Sequence, residues 1–302
     1  MLPIDTYSIV AIDKKSGEMG VAVQSHWFSV GSVVTWAEAG IGVVATQASV
    51  EVSYGPLGLA LMRGGKTPRQ ALKSLLAADP MPEVRQVAML DTRGRVAVHT
   101  GHRCMPEAGH ESGPGFSAQA NIMRNRTVWG AMARSFSGSS GSLAERLMLA
   151  LESAEEAGGD LRGRQSAAIL VVKLERSSTP WHDRLVDLRV EDHPQPLVEM
   201  RRMLRIHGAF AHANEGDRLM EKGENGKAME EYRRSAELAP ENPELRFWQA
   251  VTLLNHGELE EGRSLLRSVF KANKDLRVLL ERLPAVGMLK VDEETMRQLL
   301  GP

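Results

Sequence analysis

Cysteine is almost missing from this chain, which carries only Cys104. One thiol cannot close an internal disulfide, so a disulfide-stapled scaffold is excluded and a reducing cytoplasm fits. An excess of one charge is missing as well. Against 38 Asp and Glu stand 37 Lys and Arg, a formal net charge of −1, and no global field draws the chain to nucleic acid or to an anionic membrane. No apolar run reaches the roughly 18 residues that a membrane-spanning helix needs. The opening Met1-Leu2-Pro3-Ile4-Asp5 lacks the basic region and apolar stretch of a secretory signal. The expectation is a cytoplasmic protein with no nucleic-acid and no membrane partner. Gly138-Ser139-Ser140-Gly141 does not match a phosphate-binding loop and reads as a turn between helices, and no cofactor is expected.

What is present suffices for a sizeable core. Of the 302 residues, 42% are hydrophobic and 25% charged, and the length suggests two domains. Residues 1–192 are rich in Gly, Ala, Val and Ser and contain recurrent short strands. Beyond about residue 197 the chain is rich in Leu, Glu and Arg and reads as helix. Between them, Asp192-His193-Pro194-Gln195-Pro196 carries two prolines that disfavour helix. The expected division is a first domain over 1–192, a linker and connecting helix over 193–207, and a helical domain over 208–302.

In the first domain, Thr6 to Ile12 reads as a buried strand, with a turn at Asp13-Lys14-Lys15-Ser16-Gly17 and a hairpin partner from Met19 to Ser25. A strand over Gly42–Gln47 follows, then helices starting near Tyr54 and at Thr67. The second has a Thr cap, Pro in first position and Gln three residues on. Strands return over 84–90, 95–100 and 116–121. Helices cover about 126–136 and 142–157, and strands at 166–173 and 185–190 close the domain. Short turns between paired strands imply antiparallel sheets. Helix pairs set between strand groups can cover the outer faces of two stacked sheets, so the expected class is α+β, a four-layer αββα sandwich. A single sheet with helices on one side is the alternative.

The helical part repeats itself. Gly216, Gly223, Ala228, Tyr232, Ser235 and Pro240 recur 34 positions later as Ala250, Gly257, Gly262, Leu266, Val269 and Lys274, the period and small-residue offsets of a tetratricopeptide unit. About two repeats are visible, fewer than usually stand alone.

Thr6-Tyr7-Ser8-Ile9-Val10-Ala11, Gly20-Val21-Ala22-Val23-Gln24-Ser25, Ala45-Thr46-Gln47 and Tyr54-Gly55-Pro56 together resemble a prokaryotic family known only as a domain of unknown function. That family is placed in the N-terminal nucleophile (Ntn) hydrolase superfamily. His99-Thr100-Gly101 with Cys104, Ala108-Gly109-His110, the run Gly158–Ala168 and the run Asp187–Pro194 extend the likeness, in order, over nearly all of residues 6–206. The resemblance implies a four-layer αββα sandwich, amide-bond cleavage and a small amide or peptide substrate. Folds of this superfamily often assemble, so a homo-oligomer is one implied state. The chain also departs from the pattern. Relatives start the first strand directly after the initiator Met, whereas five residues precede Thr6 here. Leu2 is too large for ordinary Met removal, so use of Thr6 would require cleavage of the Asp5–Thr6 bond. Pro106-Glu107 and Ala120 depart at two further positions.

The candidate catalytic residues are Thr6 and Ser8. A threonine that begins a chain holds a hydroxyl nucleophile and an α-amine base in one residue, the amine titrating near ~8. Otherwise Thr6 simply opens a strand. Ser8 shares its strand face, because side chains alternate, and would be a weak nucleophile without a base. Candidate substrate-binding residues are Gln24, Ser25 and His26 at the end of the second strand, Gln47 at the end of the next, and Arg164 and Ser166 at a strand mouth. Amides, hydroxyls and an imidazole in such places can orient substrate or stabilise an oxyanion, or can be ordinary strand-end polar groups. Asp160 with Arg162 reads as an internal pair. His99, His102, Cys104 and His110 do not have a zinc spacing, and no metal is expected. Two readings stand: an Ntn-type amidohydrolase or peptidase acting through Thr6, and a non-catalytic Ntn-like binding or assembly module whose helical repeats grip a protein partner. A hydrolase using Ser8 or Cys104 without processing is a third.

Overall fold

The structure, a computed structural model, describes residues 6–301. Met1–Asp5, and with them the Asp5–Thr6 bond, lie outside the described residues. The chain divides into two compact units, Met1–Leu204 and Arg205–Pro302.

The first unit is mixed α/β with two antiparallel sheets. Strands β1 (Thr6–Asp13), β2 (Glu18–Ser25), β7 (Gly109–Gly113), β8 (Phe116–Asn121), β9 (Ser166–Lys173) and β10 (Arg184–Val190) form a six-stranded sheet in the order β10-β9-β2-β1-β8-β7. Strands β3 (Thr35–Glu38), β4 (Gly42–Ala48), β5 (Arg85–Asp91) and β6 (Val96–Thr100) form a four-stranded sheet in sequence order. A one-turn helix α1 (Gly31–Val34) precedes β3.

The central strands are buried along their length, because each face has its own apolar partner. Val10, Val21, Val23 and Leu170 of the larger sheet share a core with Val43, Ala45, Ala88 and Leu90 of the smaller. On its other face the larger sheet presents Tyr7, Ile9, Ala22, Ala118, Ala120 and Ala167 to α4 (Val128–Gly138) and α5 (Leu143–Glu156). That paving of alanines lets the helices settle close to the backbone. At Gly20 even a Cβ would come within 3.1 Å of Leu147 on α5. On the outer face of the smaller sheet, Val44, Val87 and Met89 pack with α2 (Tyr54–Arg63) and α3 (Pro68–Ala78). Helix α3 starts where the sequence signals it: Thr67 and Gln70 form a reciprocal capping box with Pro68 in the first turn.

Helix α6 (Pro196–Glu221) contains the division between the units. The second unit continues with α7 (Asn225–Leu238), α8 (Pro243–Asn255), α9 (Leu259–Ala272), α10 (Asp275–Arg282) and α11 (Glu293–Leu300). The residues that recur at 34-residue spacing play matching parts. Gly223 and Gly257 both end helices with positive φ, 75° and 87°. Ala228, Tyr232 and Ser235 are buried in one repeat, as are Gly262, Leu266 and Val269 in the next. Among the described residues no helix is long and apolar enough to cross a membrane.

Candidate functional site

At one end of the space between the sheets the apolar core gives way to side-chain amides and hydroxyls. Thr6 pairs with Ser25 on one side and Asn121 on the other, and Ser25 in turn pairs with Ser166. One step inward, Ser8 pairs with Gln119. Facing them on the smaller sheet, Gln47, Gln86 and Thr100 stand opposite one another on β4, β5 and β6. Strand alternation explains the convergence. Thr6 and Ser8 share the inward face with Val10, Gln119 and Asn121 share it with Ser117, and Gln47 shares it with Val43 and Ala45.

The side chains interlock. The Thr6 hydroxyl lies 3.2 Å from Ser25 Oγ. Ser8 donates to Gln47 Oε1 at 2.6 Å and accepts from Gln119 Nε2 at 2.7 Å. Gln47 Nε2 donates to Gln86 Oε1 at 2.7 Å and to the Thr6 carbonyl at 3.2 Å. Asn121 Nδ2 reaches the same two acceptors at 3.0 and 3.4 Å. Gln86 Nε2 donates to Thr100 Oγ1 at 3.0 Å, and Thr100 Oγ1 lies 2.8 Å from His110 Nδ1. Thr6, Ser8, Ser25, Gln47, Gln86, Gln119 and Asn121 are all fully buried, so the cluster sits in low dielectric, where each of these bonds is stronger than in water. None of the seven carries a formal charge.

The backbone at this end is held in unusual conformations. Ala48, directly after Gln47, has φ 68°, and Ile122, directly after Asn121, has φ 54°. A β-branched residue in the left-handed region costs on the order of 1–3 kcal/mol, and such residues gather at functional sites. The Ala48 turn is braced from behind. Arg85, opposite Ala48, donates to the Ser49 carbonyl and forms a two-pronged pair with Asp79, at 2.7 and 3.1 Å, and Tyr54 donates to the same carboxylate at 3.0 Å. The Arg85 hydrogen bonds pull the Asp79 carboxyl down to about 2. Burial, with Asp79 second, drives the Tyr54 phenol upward.

Of the residues singled out from the sequence, Thr6, Ser8, Ser25 and Gln47 come together in this cluster. Ser166 adjoins Ser25, but its hydroxyl binds the loop after β2, donating to the Trp27 carbonyl and accepting from Val30 N. Gln24 and Arg164 do not join. Gln24 follows the opposite pleat, beside Tyr7 and Ala167 on the helix-covered face. Arg164 pairs there with Glu155, which also accepts from the Tyr7 hydroxyl at 2.7 Å, and it lines a cavity of about 340 Å³ with residues of α5 and the start of α6. His26 is exposed, and its backbone N–H donates to Asp160. Arg162 closes on Asp160 as an internal pair at 2.9 Å. Gln86, Gln119 and Asn121 were not singled out from the sequence. The available signal was the polar residue at every second position of Ser117-Ala118-Gln119-Ala120-Asn121.

His99 Nε2 lies 2.8 Å from the Pro82 carbonyl, and Cys104 Sγ points to the Arg85 carbonyl at 3.4 Å, while His102 and His110 are exposed. Among the described residues no group of three or more His, Cys, Asp or Glu could hold a metal ion.

Comparison with known proteins places the first unit. The chain matches no curated protein. A protein of Silicibacter pomeroyi, whose crystal structure is described under the same family, is 30% identical with a TM-score of 0.60, over 66% of this chain and 84% of that one. The family of unknown function DUF1028 matches residues 6–200. Two antiparallel sheets with a buried amide and hydroxyl cluster at the head of β1 are therefore features of a chain that belongs to the DUF1028 family.

Proposed function

We propose that the first unit is an Ntn-type amidohydrolase or peptidase, built as a four-layer αββα sandwich, and that the helical unit is tetratricopeptide-like. One observation carries the reading. Thr6, the first residue of a central strand, opens into a buried patch of uncharged donors between the sheets, where every neighbouring strand contributes a polar side chain. In a chain that begins at Thr6, the α-amine takes the hydroxyl proton as Oγ1 attacks an amide carbonyl. The tetrahedral oxyanion is met by side-chain N–H groups, for which Gln47 Nε2 and Asn121 Nδ2, both beside the Thr6 carbonyl, are the candidates. The amine then returns the proton to the leaving nitrogen, and water hydrolyses the Thr6 ester.

The test is the intact mass of the purified protein, followed by turnover of a panel of chromogenic amides. Loss of Met1–Asp5, with activity abolished by Thr6→Ala and largely kept by Thr6→Ser, is the expected result. An active protein with an intact Met1 or Leu2 terminus would overturn the mechanism.

The network also favours a second reading. The Gln47 amide is bonded within the protein to Ser8 and Gln86, and Thr6 is fully buried. An internally bonded network of this kind, in which Gln119 Oε1 and Asn121 Oδ1 alone of the cluster's amide atoms have no partner among the described residues, serves stability without chemistry, leaving a non-catalytic module whose helical repeats bind a protein partner. A full-length mass with no turnover is the outcome it expects.

A further inference from the structure

In the helical unit, every arginine on the included part of α6 and on α7 has a glutamate. Arg205 pairs with Glu241, Arg218 with Glu215, Arg233 with Glu237, and Arg234 with Glu230 and Glu231. Among the described residues the arginines of α8 to α11, Arg246, Arg263, Arg267, Arg277, Arg282 and Arg297, have no such partner, and three of them converge. Arg263 of α9, Arg277 of α10 and Arg297 of α11 line one cavity of about 460 Å³, and among the described residues the only carboxylate on its wall is Glu281. The bonds they make are to backbone: Arg277 Nη2 to the Gly301 carbonyl at 3.2 Å and Arg297 Nε to the Glu293 carbonyl at 3.3 Å. Arg263 Nε is buried with no acceptor among the described residues.

We propose that this cavity is a binding site for a small polyanion carrying two or more phosphate or carboxylate groups. Each guanidinium has five donors in a planar fork that matches such oxygens two at a time, and most of these donors are unused here. Among the described residues, three positive charges against one negative leave the wall with an excess that an anion relieves. The volume exceeds what one phosphate fills and lies in the range of small-molecule sites. Leu300 supplies an apolar side to the cavity, so a ligand with a carbon skeleton between its charged groups fits better than a bare ion. All the residues of the site belong to the second unit.

Titration calorimetry of the full chain with pyrophosphate and with citrate, at constant ionic strength, tests it. One saturable site per chain is expected for at least one probe, with no matching effect of sodium chloride. Arg263→Gln and Arg277→Gln should each weaken binding about fivefold or more, the loss of charge-assisted bonds at a partly exposed site. The exposed Arg297→Gln, which disturbs no packing, should act in the same direction. Glu281→Gln should tighten binding, a change that a merely structural role would not produce. Absence of saturable binding by both probes, or affinity indifferent to all four substitutions, overturns the proposal.

Discussion

Ser8 and Gln47, 39 residues apart in sequence, meet across the two sheets at 2.6 Å, hydroxyl to amide oxygen, with both side chains fully buried. Because Gln119 also donates to Ser8, removing the hydroxyl strands a buried acceptor and a buried donor together. Ser8→Ala should therefore cost on the order of 2–3 kcal/mol in urea unfolding, far above the removal of one exposed hydroxyl. A double-mutant cycle with Gln47→Ala should give a coupling of roughly 0.5–3 kcal/mol. Additive losses would mean that the two groups do not act together.

Gln24 presents the opposite case. It is fully buried, yet among the described residues neither its Nε2 nor its Oε1 has a partner. A buried amide without hydrogen bonds is a net cost of roughly 1–3 kcal/mol. Gln24→Met, close in volume and without polar atoms, should raise the unfolding free energy by about 1–2 kcal/mol. It should leave any Thr6-dependent turnover unchanged, since Gln24 faces the helices. A destabilised Gln24→Met protein would mean that the amide is satisfied by something bound there.

The Asp79–Arg85 pair should make stability fall in acid. Both side chains are less than 10% exposed, and the Asp79 carboxyl is held at about 2, mainly by Arg85. A folded value below the unfolded one, ~3.9, gives a contribution that is complete above about pH 4–5 and lost as pH falls toward 2. Its size is on the order of 2 kcal/mol. Asp79→Asn should lower stability at pH 7 and flatten the acid limb of the curve. An unchanged limb would assign acid sensitivity to other carboxylates.

Gly216 faces the ring of Tyr232, where a Cβ would come within 2.5 Å of ring carbon. Tyr232 cannot retreat easily: it is buried, and its hydroxyl donates to Asp217 at 2.6 Å. Gly216→Ala should cost roughly 1–3 kcal/mol, although alanine is the better helix former. A neutral or stabilising result in thermal melts would show that the two helices can separate to admit a methyl group.

Much of the first unit was legible because its central strands announce themselves. Thr6–Ile12, Phe116–Asn121 and Ser166–Lys173 are short, unbroken and bounded by turns, and the structure keeps them nearly residue for residue. Strand β7, Gly-His-Glu-Ser-Gly, gave no such signal, because it is a mostly exposed edge paired only with β8. Helix α1 and strand β3 carry no readable signal either: Gly31–Glu38 holds one helical turn and one short strand, each below the length at which periodicity speaks.

The candidate site was legible as far as one strand could be followed. The alternation that puts Ser8 beside Thr6 also sends Gln24 away from Ser25, since consecutive residues face opposite ways. The polar end of β2 is therefore divided between two faces, Ser25 toward the cluster and Gln24 toward the helices. Gln86 and Asn121 belong to strands 80 and 115 positions from Thr6, and only the sheet order brings them there.

That same cluster has a meaning for how the chain finds its pairing. Beyond Ile9, both faces of β1 are apolar, with Val10 and Ile12 on one side and Ala11 on the other. Hydrophobicity alone would barely distinguish the native alignment from one shifted by a single residue. Such a slip would carry Thr6 and Ser8 under the helices and thrust Tyr7 among the glutamines. The polar end of the strand therefore works as a registration mark, telling the inside of the sheet stack from its outside before any chemistry is asked of it.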